Sequence, residues 1–187
     1  GDNMKKIIIM GIITILLIII LPEHKYNNED FNIKTYISNI DKDNDNIDDQ
    51  TDILNNAKKY VQTKPKYKSK YYGTGYPNDE YGVCTDVVGF ALKDAGYDLM
   101  TLVNEDIKLH KERYNIKIID KNIDFRRVNN LNIYFKYNSI SLTLDPKEIS
   151  SWQGGDIVVF KRHIGIVSDK RNSKGISYVI HHANPFQ

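Results

Sequence analysis

Cysteine is almost missing from this chain. Cys84 is the single thiol among 187 residues, which excludes an intrachain disulfide, a CxxC metal knuckle and a disulfide-stapled scaffold. A strong charge of either sign is missing too. Lys and Arg total 26 against 24 Asp and Glu, and the basic residues are scattered, so no patch suited to nucleic acid is present. No internal repeat is visible, which sets aside solenoids and propellers. What remains is enough chain for one domain of ordinary size with a sizeable core, and some extra.

The one long apolar run lies at the N-terminus. Gly1-Asp2-Asn3 precede Met4 and read as a cloning or reading-frame artefact; Lys5-Lys6 then lead into Ile7 to Leu21, broken only by Thr14. A positive flank before an apolar stretch of that kind is a secretory signal or an N-terminal anchor. No small-residue cleavage site follows in Leu21-Pro22-Glu23-His24, so 4–22 is expected to be an uncleaved membrane anchor, with a cleaved signal as the other reading. Either way the rest of the chain is expected to be exported to the cell surface. Residues 23–50 are polar and dense in Asn and Asp, and read as a linker. Within them, Asp41-Lys42-Asp43-Asn44-Asp45-Asn46 matches the start of an EF-hand loop. Asn46 stands where the sharp turn calls for Gly, and Asp52 stands where a bidentate Glu is usual. The expectation is therefore a solvated acidic linker without metal.

The folded domain is expected over 51–187, opening with a helix from Asp52 to Gln62. Tyr71-Tyr72-Gly73-Thr74-Gly75 is a glycine-rich loop, and from Thr85 to Ala95 the apolar residues Val87, Val88, Ala91, Leu92 and Ala95 recur at helical spacing. Cys84 therefore stands at a helix N-terminus, where unpaired N–H groups and the macrodipole favour thiolate over thiol. The plain alternative is a small buried hydrophobe. Leu99 to Arg113 reads as a second helix, 116–133 is mixed, and Leu131 to Tyr137 is either a strand or a helix. After Pro146 the pattern turns to β. Ile157 to Phe160 and His163 to Ser168 form an antiparallel hairpin, followed by a third strand from Ser177 to His182.

A thiol nucleophile needs a base, and the base needs a group that orients it. Alternation puts His163, Gly165 and Val167 on one face, and the next strand supplies His181 or His182 to stand beside His163. The set Cys84, His163, His181 and His182 also has zinc-ligand types, but not the close paired spacing of a zinc site.

Four ordered stretches resemble the motifs of the DUF1287 family of bacterial exported proteins. They are Glu80-Tyr81-Gly82-Val83-Cys84-Thr85-Asp86-Val87-Val88, Asn122-Ile123-Asp124-Phe125-Arg126-Arg127-Val128, Trp152-Gln153-Gly154-Gly155-Asp156-Ile157-Val158 and His163-Ile164-Gly165-Ile166-Val167-Ser168-Asp169. That family is similar to the NlpC/P60 superfamily of papain-like cysteine peptidases and amidases. The resemblance implies an α+β fold, with the Cys-bearing helix packed on an antiparallel sheet carrying the His residues. It implies hydrolysis of amide bonds in peptidoglycan through a thioester, with Cys84 as nucleophile, His163 as base and His181 (otherwise His182) as the third member. Tyr71, Tyr72, Asp86, Asp124, Arg126 and Arg127 are the implied substrate-side residues. No metal or cofactor is implied. The alternative is a non-catalytic cell-wall binding module with a retained cleft. Typical NlpC/P60 proteins place Asp before the nucleophile, where this chain has Val83. Family members run past the third strand, so the chain is expected to be truncated.

Overall fold

The computed structural model describes residues 24–184. The anchor expected at 4–22, the artefact at 1–3 and the last three residues lie outside them. Among the described residues, no helix is long and apolar enough to cross a membrane. The architecture is α+β, as expected. Helix α1 is Asp49–Gln62, and the two-residue strands β1 (Lys66–Tyr67) and β2 (Tyr81–Gly82) pair in parallel. Helices α2 (Cys84–Asp94) and α3 (Leu99–Leu109) follow, then α4 (Lys121–Asp124) and α5 (Val128–Asn138). The antiparallel sheet is β3 (Ile157–Phe160), β4 (His163–Arg171) and β5 (Ser177–Ile180), with β4 in the middle.

The core explains the layering. Val87, Val88 and Ala91 of α2 are fully buried against Ala57 of α1 and against Ile164 and Ile166 of β4. Removing an aliphatic side chain of that size from water stabilises by about 1.5–3 kcal/mol. The 3.6-residue stripe read from the sequence is this face. Leu131, open between strand and helix in the sequence, is fully buried from α5 against the same core. The helix expected to run to Arg113 ends at Leu109, and Lys111–Arg113 make a separate 3-10 turn.

The expected linker is corrected by the structure. Residues 24–48 form a strap laid on the sheet and α1. Tyr26 exchanges backbone hydrogen bonds with Arg171, at 2.9 and 2.8 Å. Asn28 is buried and donates from Nδ2 to Gln153 Oε1 at 3.1 Å. The cause is Arg171, 1% exposed and, among the described residues, without a carboxylate partner. Its guanidinium donates to Asn28 Oδ1 (2.7 Å), Ile149 O (2.9 Å), Gly175 O (2.7 Å) and Trp152 O (2.6 Å). Polar composition suggested solvation, but the amides are there to satisfy a buried cation. Arg171→Met keeps the apolar stem and orphans these acceptors. It is expected to cost about 3 kcal/mol or more, and to make the strap the first site cut in limited proteolysis.

Candidate active site

Local chain geometry places Cys84. Val83 is extended (φ −139°), and Asp86 reaches back from the first turn to accept its N–H at 2.8 Å. The helix therefore begins at Cys84. Gly82, just before, must be glycine, because a Cβ there would collide with the Tyr60 hydroxyl. Cys84 is 6% exposed, and its sulfur is approached by the backbone N–H of Ile164, the residue after His163. The expectation of a thiolate at rest is corrected. Burial is the largest influence and pushes the thiol up, with Asp86 adding to it, against the opposing N–H groups of Ile164, Thr85 and Cys84. Desolvation outweighs the helix terminus, so the resting group is a thiol.

His163 opens β4. Its Nε2 lies 3.0 Å from His181 Nδ1, with the rings almost perpendicular at 86°. Among the described residues, Nδ1 of His163 has no hydrogen-bond partner. Burial first, then His181 and His182, hold His163 below its ordinary range, so it is neutral at pH 7 and suited to accept a proton. Among the described residues no hydrogen bond joins Cys84 Sγ to His163. Gly165 makes the histidine pair possible. A Cβ on it would sit 2.8 Å from Ile180 O and 3.2 Å from His181 Cβ. Only glycine lets β5 approach closely enough for His181 to meet His163.

The histidine doublet is thus divided. His181 joins His163, while His182 turns to Tyr67, ring centroids 5.2 Å apart, with its Nε2 buried and without a hydrogen-bond partner among the described residues. Tyr67 is a neighbour of the candidate site that sequence reasoning missed. It stands in β1 opposite Gly82, two residues ahead of Cys84, and its hydroxyl is pushed up by burial and then by the Cys84 thiol. A two-residue parallel strand has no periodicity to detect. Even in hindsight, the only signal is a tyrosine among alternating lysines.

Most of the expected substrate-side residues are structural. Asp86 is fully buried and binds Arg126 through Nε (2.6 Å) and Nη2 (2.9 Å). Arg126 also donates to Lys70 O at 2.7 Å. With side chains 1% and 0% exposed and bound to each other, Arg126 and Asp86 present no group to a substrate. Tyr72 is buried, its hydroxyl donating to Asp79 and its ring under the Arg126 guanidinium. Asp124 is buried and accepts Asp120 N at 2.7 Å while pairing with Arg127 at 3.3 Å. Arg127 and Tyr71 are the two that remain half or more exposed. A hollow of about 340 Å³ lies beside β1 and β2, lined by Tyr60, Lys66, Asp79, Tyr81 and Phe90, and does not include Cys84 or His163.

Residues 54–187 match a family described as a domain of unknown function, DUF1287. This chain belongs to the DUF1287 family. The DUF1287 match takes in every part of the Cys84–His163–His181 arrangement. The DUF1287 chain is also 34% identical over 142 residues to the uncharacterized protein YijF of Escherichia coli (strain K12), covering 69% of each chain. No solved structure matches it.

Proposed function

We propose that this DUF1287 domain is a cysteine-dependent hydrolase of amide bonds in bacterial peptidoglycan, working by acyl transfer in a papain-like, NlpC/P60-type arrangement. The observation that carries the reading is the histidine pair beside the buried thiol. His163 is neutral, is oriented through Nε2 by His181, and keeps Nδ1 free, while the next residue's N–H reaches Cys84. In this mechanism His163 takes the thiol proton as sulfur attacks the carbonyl carbon. The oxyanion is held by backbone N–H groups at the start of α2. His163 then returns the proton to the leaving amine, and water, deprotonated by His163, cleaves the thioester. Peptidoglycan as substrate, the exported location and an N-terminal membrane anchor rest on the NlpC/P60 resemblance and on the 4–22 run.

The test is muropeptide release from purified sacculi, read by mass spectrometry. His181→Ala is expected to lower kcat/KM by about 10²-fold or more, because the base loses its orienting partner. His182→Ala is expected to cost much less, since His182 touches Tyr67 and not His163. The reverse order would sink the assignment of His181.

A non-catalytic cell-wall binding module is the second reading. The burial of Cys84 and its raised pKa favour it, because a binder has no need of an accessible thiolate.

A further inference from the structure

The segment between α5 and the β3–β4 hairpin carries a feature that the proposed hydrolase does not use. Residues 140–144 run without helix, turn or bend, and among the described residues their backbone groups make no hydrogen bond. Apolar and polar residues alternate along them: Ile140, Leu142 and Leu144 fall on one face, Ser141 and Thr143 on the other. This is the pattern of a β-strand without a partner strand. The apolar face is open to water, with Ile140 86%, Leu142 52% and Leu144 91% exposed. A single exposed aliphatic residue needs no explanation, but three in a row on an unpaired edge make a surface for strand addition.

The pattern is symmetric about Leu142. When two copies pair antiparallel, Leu142 meets Leu142, Ile140 meets Leu144, and Ser141 meets Thr143. Apolar then lies opposite apolar and polar opposite polar, a match that a one-residue slip destroys. Charge selects the same arrangement. Lys136 at the N-terminal end, and Asp145 and Glu148 at the C-terminal end, are exposed and form no ion pair among the described residues. Antiparallel pairing brings the Lys136 end of one copy to the other end of its partner, which stays net negative even with Lys147. Parallel pairing would set like charge against like. The segment is also tied to the end of the sheet away from the candidate active site. Trp152 Nε1 donates to Asp145 O at 2.9 Å, and Trp152 O accepts from Arg171, the last residue of β4. His163 opens that strand, about 26 Å away along it.

We propose that residues 140–144 pair antiparallel with the same segment of a second copy of this chain, making a two-fold dimer centred on Leu142. A two-stranded ribbon of this length is marginal by itself, and its interface falls below the standard size. The dimer is therefore weak, with Kd of about 10⁻⁵ to 10⁻³ M.

The test places single cysteines in the full Cys84→Ala chain in detergent and reads disulfide-linked dimers after mild oxidation. Leu142→Cys is expected to link with itself about tenfold or more faster than Ile140→Cys or Leu144→Cys alone, because two copies of either outer position lie about 13 Å apart, beyond a disulfide. Mixed Ile140→Cys and Leu144→Cys chains should link with each other. Sedimentation equilibrium supplies the second measurement. Leu142→Lys and Leu142→Glu chains are each expected to associate about fivefold or more weakly than the parent, and an equimolar mixture to recover. Equal self-linking at all three positions would mean parallel pairing or random collision and would overturn the proposal. Association unchanged in Leu142→Lys, as if driven by the 7–21 run, or no recovery in the mixture would do the same. A parent that stays monomeric, while Leu142→Lys lowers its binding to lipid vesicles, would give this face to a bilayer instead. The cross-linked chain lacks the nucleophile, so dimer and hydrolase stand or fall separately.

Discussion

Cys84→Ala should leave the domain folded and abolish muropeptide release from sacculi, with loss of about 10³-fold or more in kcat. Alanine fills most of the small buried site, so Tm should move little and the loss can be read as chemistry. Retained activity in the purified variant would end the acyl-transfer reading and leave the binding module. The pH dependence follows from the shifts. His163 sits below its ordinary 6.5 and must be neutral to act, so activity should hold through pH 6.5 and fall only at lower pH, as His163 gains a proton. The thiol is raised from 9.0, so alkylation of Cys84 by iodoacetamide should still be accelerating above pH 9. A plateau from near pH 6 would instead mean a resting thiolate–imidazolium pair. These two limbs separate a thiol activated at the moment of reaction from one already charged.

Legibility in the sequence followed the range of the interactions. The α2 stripe and the β3–β4 hairpin were readable because period 3.6 and period 2 arise within one element. Cys84 and His163 were readable because a helix start and a strand start frame them. What the sequence withheld was the destination of each polar side chain. Asp86 and Arg126, 40 residues apart, look like surface charges available to a ligand, and only the packing of α4 against the helices shows them spent on each other. Asn28 and Arg171 are 143 residues apart, so the strap read as a linker. The choice between His181 and His182 depended on β5 register, which the Gly165 contact with the Ile180 backbone fixes. Tyr67 was hidden because its strand is two residues long.

Breaking the Asp86–Arg126 pair should have the largest effect on stability. The two side chains are 0% and 1% exposed, and Asp86 also accepts the Val83 N–H that starts the Cys84 helix. Asp86→Ala removes the counter-charge and strands a guanidinium where water cannot reach it. The expected cost is about 3–5 kcal/mol, or a Tm lower by about 6–20 °C for a chain of this size. Arg126→Ala should cost a similar amount, because it leaves the Asp86 carboxylate buried with only the Val83 N–H. The double variant should cost clearly less than the sum of the singles, since neither charge is left behind. The exposed Lys66–Glu80 pair, 3.8 Å apart, is the control, and Glu80→Ala should leave Tm nearly unchanged. Additive losses in the double variant would show that the two residues act independently. They would then again be available as substrate-side groups. Because Asp86 fixes where the helix begins, its loss should also increase alkylation of Cys84 at temperatures where the fold persists. The pair that looked like part of the substrate site therefore acts on the nucleophile indirectly, by holding the turn that presents it.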